Sequence, residues 1–209
     1  MPTALEKVLQ MKIVPVVAIH DACHSDALAN ALVEGGLPCA EITFRTAAAA
    51  DAIRTMAKRG NMLVGAGTVL TIDQVKQAVD AGAAFMVAPG LNPRVVGYCR
   101  ERNIPITPGV ATPTDIETAL DLGLKILKYF PAEAFGGLKA LKAISAPYTA
   151  VKFIPTGGIN AGNVIAYLEH PKVVACGGSW MVKSALIVAG QFDKITSLTR
   201  EAVNLAQNM

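Results

Sequence analysis

LVGAGTVLTIDQVKQAVDAGAAFMVAPG, residues 63–90, is the stretch that decides the fold. It opens on a run of apolar and small residues, LVGAGTV (63–69), and ends on a second, FMVAPG (85–90). Runs of this length that read as continuously apolar are what strands buried on both faces look like. Between them, TIDQVKQAVDAG places its apolar residues at three- and four-residue spacing. Thr71 with Gln74 fits a capping box at the start of this segment, and Gly82 supplies a helix stop at its end. The stretch is therefore expected to form strand, helix, strand, and two strands joined by a crossover helix lie parallel.

The same texture extends to both ends of the chain. Further apolar runs occur at 13–19 (IVPVVAI), 39–44 (CAEITF), 105–110 (PITPGV), 126–132 (ILKYFPA), 150–158 (AVKFIPTGG) and 173–180 (VVACGGSW). DALANALVEGG, AAAADAIRTMAKRG and PTDIETALDLG, which lie between runs, repeat the helical spacing and close on glycine. Asn92-Pro93 and Thr112-Pro113 each place a cap before a proline at the first helical position. Pro89, Pro108, Pro131 and Pro155 fall near the ends of successive runs, where a missing N–H costs no ladder bond. Strand starts recur roughly every 20 to 26 residues, one strand plus one helix. Eight such units predict an α/β chain folded over residues 1–209 as a single (β/α)8 TIM barrel with a short N-terminal helix. An open doubly wound sheet is the alternative, but no G-x-G-x-x-G follows the first run, and GAGTVL (65–70) lacks the third glycine.

Composition bounds the function classes. Of 209 residues, 52% are apolar and 17% charged, against roughly 25% charged in an average soluble chain. That excludes disorder and suggests apolar surface hidden between subunits. A net charge of +3 with no Lys/Arg run or basic-aromatic stripe argues against a nucleic-acid partner. The longest apolar stretches fall far short of the roughly 20 residues a membrane span needs, so no membrane partner is expected. The N-terminal MPTALEKVLQMK has no apolar core of signal-peptide length. Cys23, Cys39, Cys99 and Cys176 stand alone, without a Cys-x-x-Cys pair, so reduced thiols and a cytoplasmic location are expected.

Ionisable residues inside buried strands need a reason, and three stand out: Glu41, Lys128 and Lys152. Lys128 lies between Leu127 and Tyr129, with Ile126 and Phe130 sharing its face. An amine held in apolar surroundings gives up its proton more readily than in water, and the neutral amine attacks carbonyls to form Schiff bases. The alternative is a structural lysine that pairs with Glu41 or extends to the rim. Lys152 is the rival amine, but it opens its run and is expected near the opposite mouth of the barrel. Glu41, Thr43 and Arg45 share strand parity. Were the strand to continue, the Cα atoms of Glu41 and Arg45 would stand about 13 Å apart. Glu41 suits a general base beside an imine-forming lysine, and the guanidinium of Arg45 suits a carboxylate or phosphate, unless it is merely a solvated helix-start residue.

Two glycine pairs, Gly157-Gly158 after the seventh run and Gly177-Gly178 after the eighth, fall where this fold often binds phosphate. Backbone N–H groups and a helix N-terminus are expected to face the anion there. His20 and His24 are four apart, yet they straddle a strand end and a helix start with no third ligand nearby in sequence, so no metal is expected.

Taken together, Glu41-Ile-Thr-Phe-Arg45-Thr, Gly65-Ala-Gly-Thr68-Val, Ala88-Pro89-Gly90, Lys128-Tyr-Phe-Pro-Ala-Glu133, Pro155-Thr-Gly-Gly158 and Gly177-Gly-Ser-Trp180 resemble the motif set of the 2-keto-3-deoxy-6-phosphogluconate (KDPG) and 4-hydroxy-2-oxoglutarate (KHG) aldolases. The resemblance runs through essentially the whole chain, in order. It implies a homotrimeric barrel and a class I mechanism without metal or cofactor, acting on a phosphorylated 2-keto acid. Lys128 resembles the Schiff-base lysine and Glu41 the general acid/base. Arg45 and Thr68 resemble the residues that hold the pyruvyl carboxylate, and Pro89 and Phe130 the pocket walls. Gly157, Gly158, Gly178 and Ser179 resemble the phosphate cradle, and Thr156 the residue beside the substrate hydroxyls. A threonine there favours the gluconate substrate over its galactonate epimer. The departure is Tyr129, where family members often have Phe. A phosphosugar isomerase or decarboxylase on a similar barrel is the rival enzyme class, and a sugar-phosphate sensor the rival without turnover.

Overall fold

In the computed structural model, which describes residues 3–207, every one of the eight apolar runs contributes a strand. The strands are β1 (Ile13–Val17), β2 (Cys39–Thr43), β3 (Leu63–Gly67), β4 (Met86–Val87), β5 (Ile106–Thr107), β6 (Gly109–Val110), β7 (Ile126–Tyr129), β8 (Lys152–Pro155) and β9 (Cys176–Gly178). All pairings are parallel, and the ladders fall into two groups, β5-β4-β3-β2-β1-β9 and β6-β7-β8. The fifth run is split in two by Pro108, which has no N–H to donate, although its carbonyl accepts from the Lys128 N–H at 2.9 Å. Between the β8 and β9 runs there are only single parallel bridges, Phe153 with Val173 and Thr156 with Gly177. The architecture is therefore an α/β domain with a curled parallel sheet, and its ladder is not the unbroken eight-strand cycle that the sequence predicts.

Each of the four glycine-terminated segments forms a helix, and other helices end without that signal. α1 (Ala4–Met11) precedes β1; α2 (Ser25–Glu34), α3 (Ala49–Lys58), α4 (Ile72–Asp80), α5 (Pro93–Glu101), α6 (Pro113–Asp121), α7 (Gly137–Ser145) and α8 (Val164–Leu168) follow successive strands. α9 (Ser184–Val188) and a longer α10 (Phe192–Gln207) end the chain, α10 packing on α2. Thr71 Oγ1 accepts the Gln74 N–H as expected, but the Gln74 side chain takes the N–H of Leu70 rather than closing the box on Thr71. The boxes that close are Thr3 with Glu6 on α1 and Thr112 with Asp115 on α6. Lys172 caps the far end of α7, its ammonium donating to the carbonyls of Ser145 and, at 3.1 Å, Tyr148. Among the described residues no helix is long and apolar enough to cross a membrane.

Strand alternation sorts the side chains into two cores. Ala40 and Ile42 of β2, Leu127 and Tyr129 of β7 and Phe153 of β8 join the large cluster between sheet and helices. Cys39 shares the concave face with a small cluster of Val8, Val14, Phe85 and Val87 at the N-terminal ends of the strands. α1 covers this end by burying Val8 against it, so the concave face is sealed below and opens at the C-terminal ends. Burying one such valine contributes on the order of 1.5–3 kcal/mol.

Candidate active site

Lys128 and Glu41 project from β7 and β2 into the concave face, where they are 5% and 3% exposed. Lys128 Nζ stands 3.4 Å from Glu41 Oε1, a loose hydrogen bond by the usual 2.7–3.2 Å standard. The same nitrogen is 5.0 Å from the centre of the Phe130 ring. Gly67, paired with Thr43 across β2 and β3, makes room for the carboxylate: a Cβ there would collide with Glu41 Oε1 and Cγ. Beneath the pair lies a small, mostly apolar cavity of about 20 Å³, walled by Val8, Val14, Phe85 and Val87 below and by Thr107 and Thr156 beside Glu41 and Lys128. An amine shielded from bulk solvent and a carboxylate within reach to exchange a proton with it are what imine chemistry requires.

The remaining predicted residues ring the open end. β2 stops at Thr43, so Arg45 lies in the following turn, exposed, instead of continuing the strand. Its Nε donates to Thr43 Oγ1 at 3.1 Å, and the Thr43 hydroxyl donates to the Val17 carbonyl at 2.8 Å. Thr43 thus ties the guanidinium to β1, a role that sequence parity hinted at without assigning. Thr68, just past β3, holds φ +57°, a left-handed conformation that is costly for a β-branched residue. Pro89 follows β4, and Gly109 packs against its carbonyl so closely that no side chain fits between. Phe130 is half-buried and precedes a cis peptide bond to Pro131.

Thr156 is buried beside Gly177, where only glycine leaves space for its hydroxyl. Gly157 and Gly158 both take positive φ, +99° and +84°. Gly178 is covered by the Trp180 ring, and Ser179 is exposed at the loop surface. No helix N-terminus follows either pair directly: α8 begins at Val164 and α9 at Ser184, and both span five residues. An anion here would meet loop backbone, not the end of a long helix, because the glycine loops run on before the chain turns helical.

Other candidates lie elsewhere. Lys152 opens β8 at the N-terminal end, half-buried, with Nζ donating to the Pro171 carbonyl at 2.8 Å. With Lys142 and Lys172 it surrounds His170, whose pKa is lowered first by desolvation and then by these cations. His20 is exposed, and His24 sits in a short turn near the Phe192 ring, 6.1 Å between centres. Among the described residues no group of three His, Cys, Asp or Glu side chains is placed to share a metal ion. All four cysteines are free thiols. Burial, reinforced by the Glu41 charge two residues on, pushes Cys39 up to about 12. Sequence reasoning noted the parity of Thr43 without giving it a role, and missed Gly67 and Thr107. A polar residue with inward parity was the available signal for the threonines, and no local pattern marks Gly67.

The profile of the KDPG and KHG aldolases matches residues 5–198. The 2-dehydro-3-deoxy-phosphogluconate aldolase of Haemophilus influenzae is 50% identical over 202 residues, covering 96% of this chain and 95% of its own. That of Treponema pallidum is 46% identical over 206 residues, 98% of each chain. The crystal structure of KDPG aldolase from Legionella pneumophila, with pyruvate captured as a covalent carbinolamine, superposes with a TM-score of 0.92 at 37% identity, covering 97% of this chain and 98% of that one. An α/β scaffold that matches these proteins over nearly its whole length is that of a lyase. This chain belongs to the KDPG and KHG aldolase family.

Proposed function

We propose that this chain is a class I, metal-free aldolase that cleaves 2-dehydro-3-deoxy-6-phospho-D-gluconate to pyruvate and D-glyceraldehyde 3-phosphate, and also splits 4-hydroxy-2-oxoglutarate to pyruvate and glyoxylate. The observation that carries the proposal is the buried Lys128 Nζ, 3.4 Å from the buried Glu41 carboxylate on the strand across the concave face. Glu41 takes a proton from the Lys128 ammonium, and the free amine attacks C2 of the keto acid to give a carbinolamine. Glu41 returns that proton to the carbinolamine hydroxyl, which leaves as water, so that the carboxylate is regenerated beside a protonated imine, an electron sink adjacent to C3. Glu41, acting through a water, then removes the C4 hydroxyl proton, and the C3–C4 electron pair moves into the imine nitrogen as the aldehyde departs. The enamine regains a proton at C3, water adds to the imine carbon, and pyruvate and the free amine are released.

The other roles follow from position. Arg45, steadied by Thr43, and Thr68 hold the pyruvyl carboxylate; Pro89 and Phe130 wall the pocket. Thr156 faces the substrate hydroxyls, favouring the gluconate over the galactonate epimer. Gly157, Gly158, Gly178 and Ser179 cradle the phosphate through backbone N–H groups and a hydroxyl. Residues 1–209 act as one aldolase domain whose sheet closes as a (β/α)8 barrel; the bridges from Phe153 to Val173 and from Thr156 to Gly177 support that closure. A homotrimer is the expected assembly, in line with the low charged fraction of the chain, and light scattering should return three times the chain mass. Free thiols at all four cysteines support a cytoplasmic location.

The deciding experiment is incubation with pyruvate and borohydride followed by peptide mass spectrometry. A reduced pyruvyl adduct on Lys128 is expected. No adduct, or one on Lys152, overturns the mechanism and leaves the glycine loops to an isomerase.

A further inference from the structure

The loop that follows the candidate nucleophile, residues 130–136, is fastened to the glycine loop by more than its backbone. Ala132 N–H donates to Thr156 O at 2.8 Å, and Glu133 N–H to Gly157 O at 3.0 Å. The Glu133 side chain lies across Gly158, where a Cβ would run into its Cβ and Cγ, and its Oε1 accepts a hydrogen bond from the Tyr167 hydroxyl. Tyr167 is 1% exposed, on α8, and its ring is anchored in the large core. A second tyrosine of the same core also holds this loop: Tyr129 Oη donates to Phe135 O at 3.1 Å. A buried phenol in contact with one carboxylate, which in turn overlies a glycine of the loop, is a mechanical link from the helix layer to that loop.

We propose that Tyr167 is a positioning residue which, through Glu133, holds the 156–158 loop in the shape that binds the phosphorylated half of the substrate. This rests on the aldolase assignment above and adds to it a specificity determinant remote from the reacting atoms. The imine half of the reaction takes place on β7 and β2 and is independent of the link. Phosphate affinity depends on where the Gly157 and Gly158 backbone is held, and Glu133 meets that backbone by both a hydrogen bond and side-chain contact.

The test compares two readouts in the same variants: steady-state cleavage of 2-dehydro-3-deoxy-6-phospho-D-gluconate, and borohydride trapping of the pyruvate imine, which involves no phosphate. Tyr167→Phe keeps the ring and should raise KM for the phosphorylated substrate about three- to tenfold, the scale of one part-buried hydrogen bond to a charged group. Its kcat and its rate of pyruvate trapping should stay within about twofold of the wild type. Glu133→Ala should behave like Tyr167→Phe, and Glu133→Gln, which keeps an acceptor for the phenol, should restore most of the affinity. The Glu133 variants keep the test intact should Tyr167→Phe fold poorly. An unchanged KM in both Tyr167→Phe and Glu133→Ala, or an equal loss in cleavage and in pyruvate trapping, overturns the proposal. A wild-type protein that traps no pyruvate overturns the aldolase assignment itself, and that result is read before any variant is made.

Discussion

β7 and β8 run side by side in parallel, and each carries a lysine on its concave parity. Ile126 pairs with Lys152, and Lys128 with Ile154, so the backbones of the two lysines are offset by one pleat repeat along the strands, about 6.6 Å. That small offset separates two environments. Lys152 is at the N-terminal end, half-buried, with its ammonium satisfied by the Pro171 carbonyl in a basic neighbourhood. Lys128 is 5% exposed, with one carboxylate as its partner and an aromatic ring beside it. At the same end as Lys152, α1 and the Val8–Phe85 cluster seal the sheet with apolar contacts; beyond Lys128 the strands end in glycine loops and threonines. The apolar seal lies at one end of the sheet and the candidate site toward the other, the division expected when strand C-termini carry the loops that vary.

The contrast breaks most cleanly at the lysines. Lys128→Ala should abolish both turnover and pyruvate trapping, whereas Lys152→Ala should leave both within about twofold. The Lys128 variant also leaves Glu41 buried without its partner, a loss of about 3–5 kcal/mol in stability that denaturant unfolding should register. Wild-type-like activity in Lys128→Ala would falsify the assignment. Glu41→Gln, the next largest effect, keeps the shape and removes the base, and should lower kcat by about 10²–10⁴-fold in rapid-mixing or steady-state assays.

Gly67→Ala sharpens the comparison without touching a reacting group. Its methyl would take the place of the Glu41 carboxylate, and a displacement on the order of 1 Å at a proton-transfer group costs about 10²-fold in rate. An unchanged kcat there would mean that Glu41 acts from another position. The smallest effect is expected at Thr68→Gly. Relief of the left-handed strain at φ +57° should raise stability by about 1 kcal/mol in thermal unfolding, net of the freedom glycine has in the unfolded chain. Loss of the hydroxyl should raise KM at the same time, and a gain in stability with unchanged KM would remove Thr68 from the carboxylate site.

Much of this was legible in the chain because its signals are local. Apolar runs mark every strand, glycine stops mark α2, α3, α4 and α6, and a charge in the middle of an apolar run, as at Glu41 and Lys128, announces itself without tertiary information. Less legible was the way Pro108 divides the fifth strand, since a proline is tolerated at a strand end and disruptive only where a ladder bond was due. The helix ends expected behind the glycine pairs were also misplaced, because loop length after a strand is set by what the loop packs against.

The sequence by itself determined the order of strands and helices, the inward parity of Glu41, Thr43 and Lys128, and the family to which six spaced motifs point. Those follow from backbone periodicity and from the cost of leaving a charge in an apolar run without a reason. Only the tertiary structure decided that Lys128 and Glu41, 87 residues apart, meet at 3.4 Å, that Gly67 makes room for the carboxylate, and that Tyr167 reaches Glu133 behind the glycine loop. Each of those depends on how far the sheet curls and on the register between strands distant in the chain, quantities set by the packing of the whole molecule and by no local run of residues.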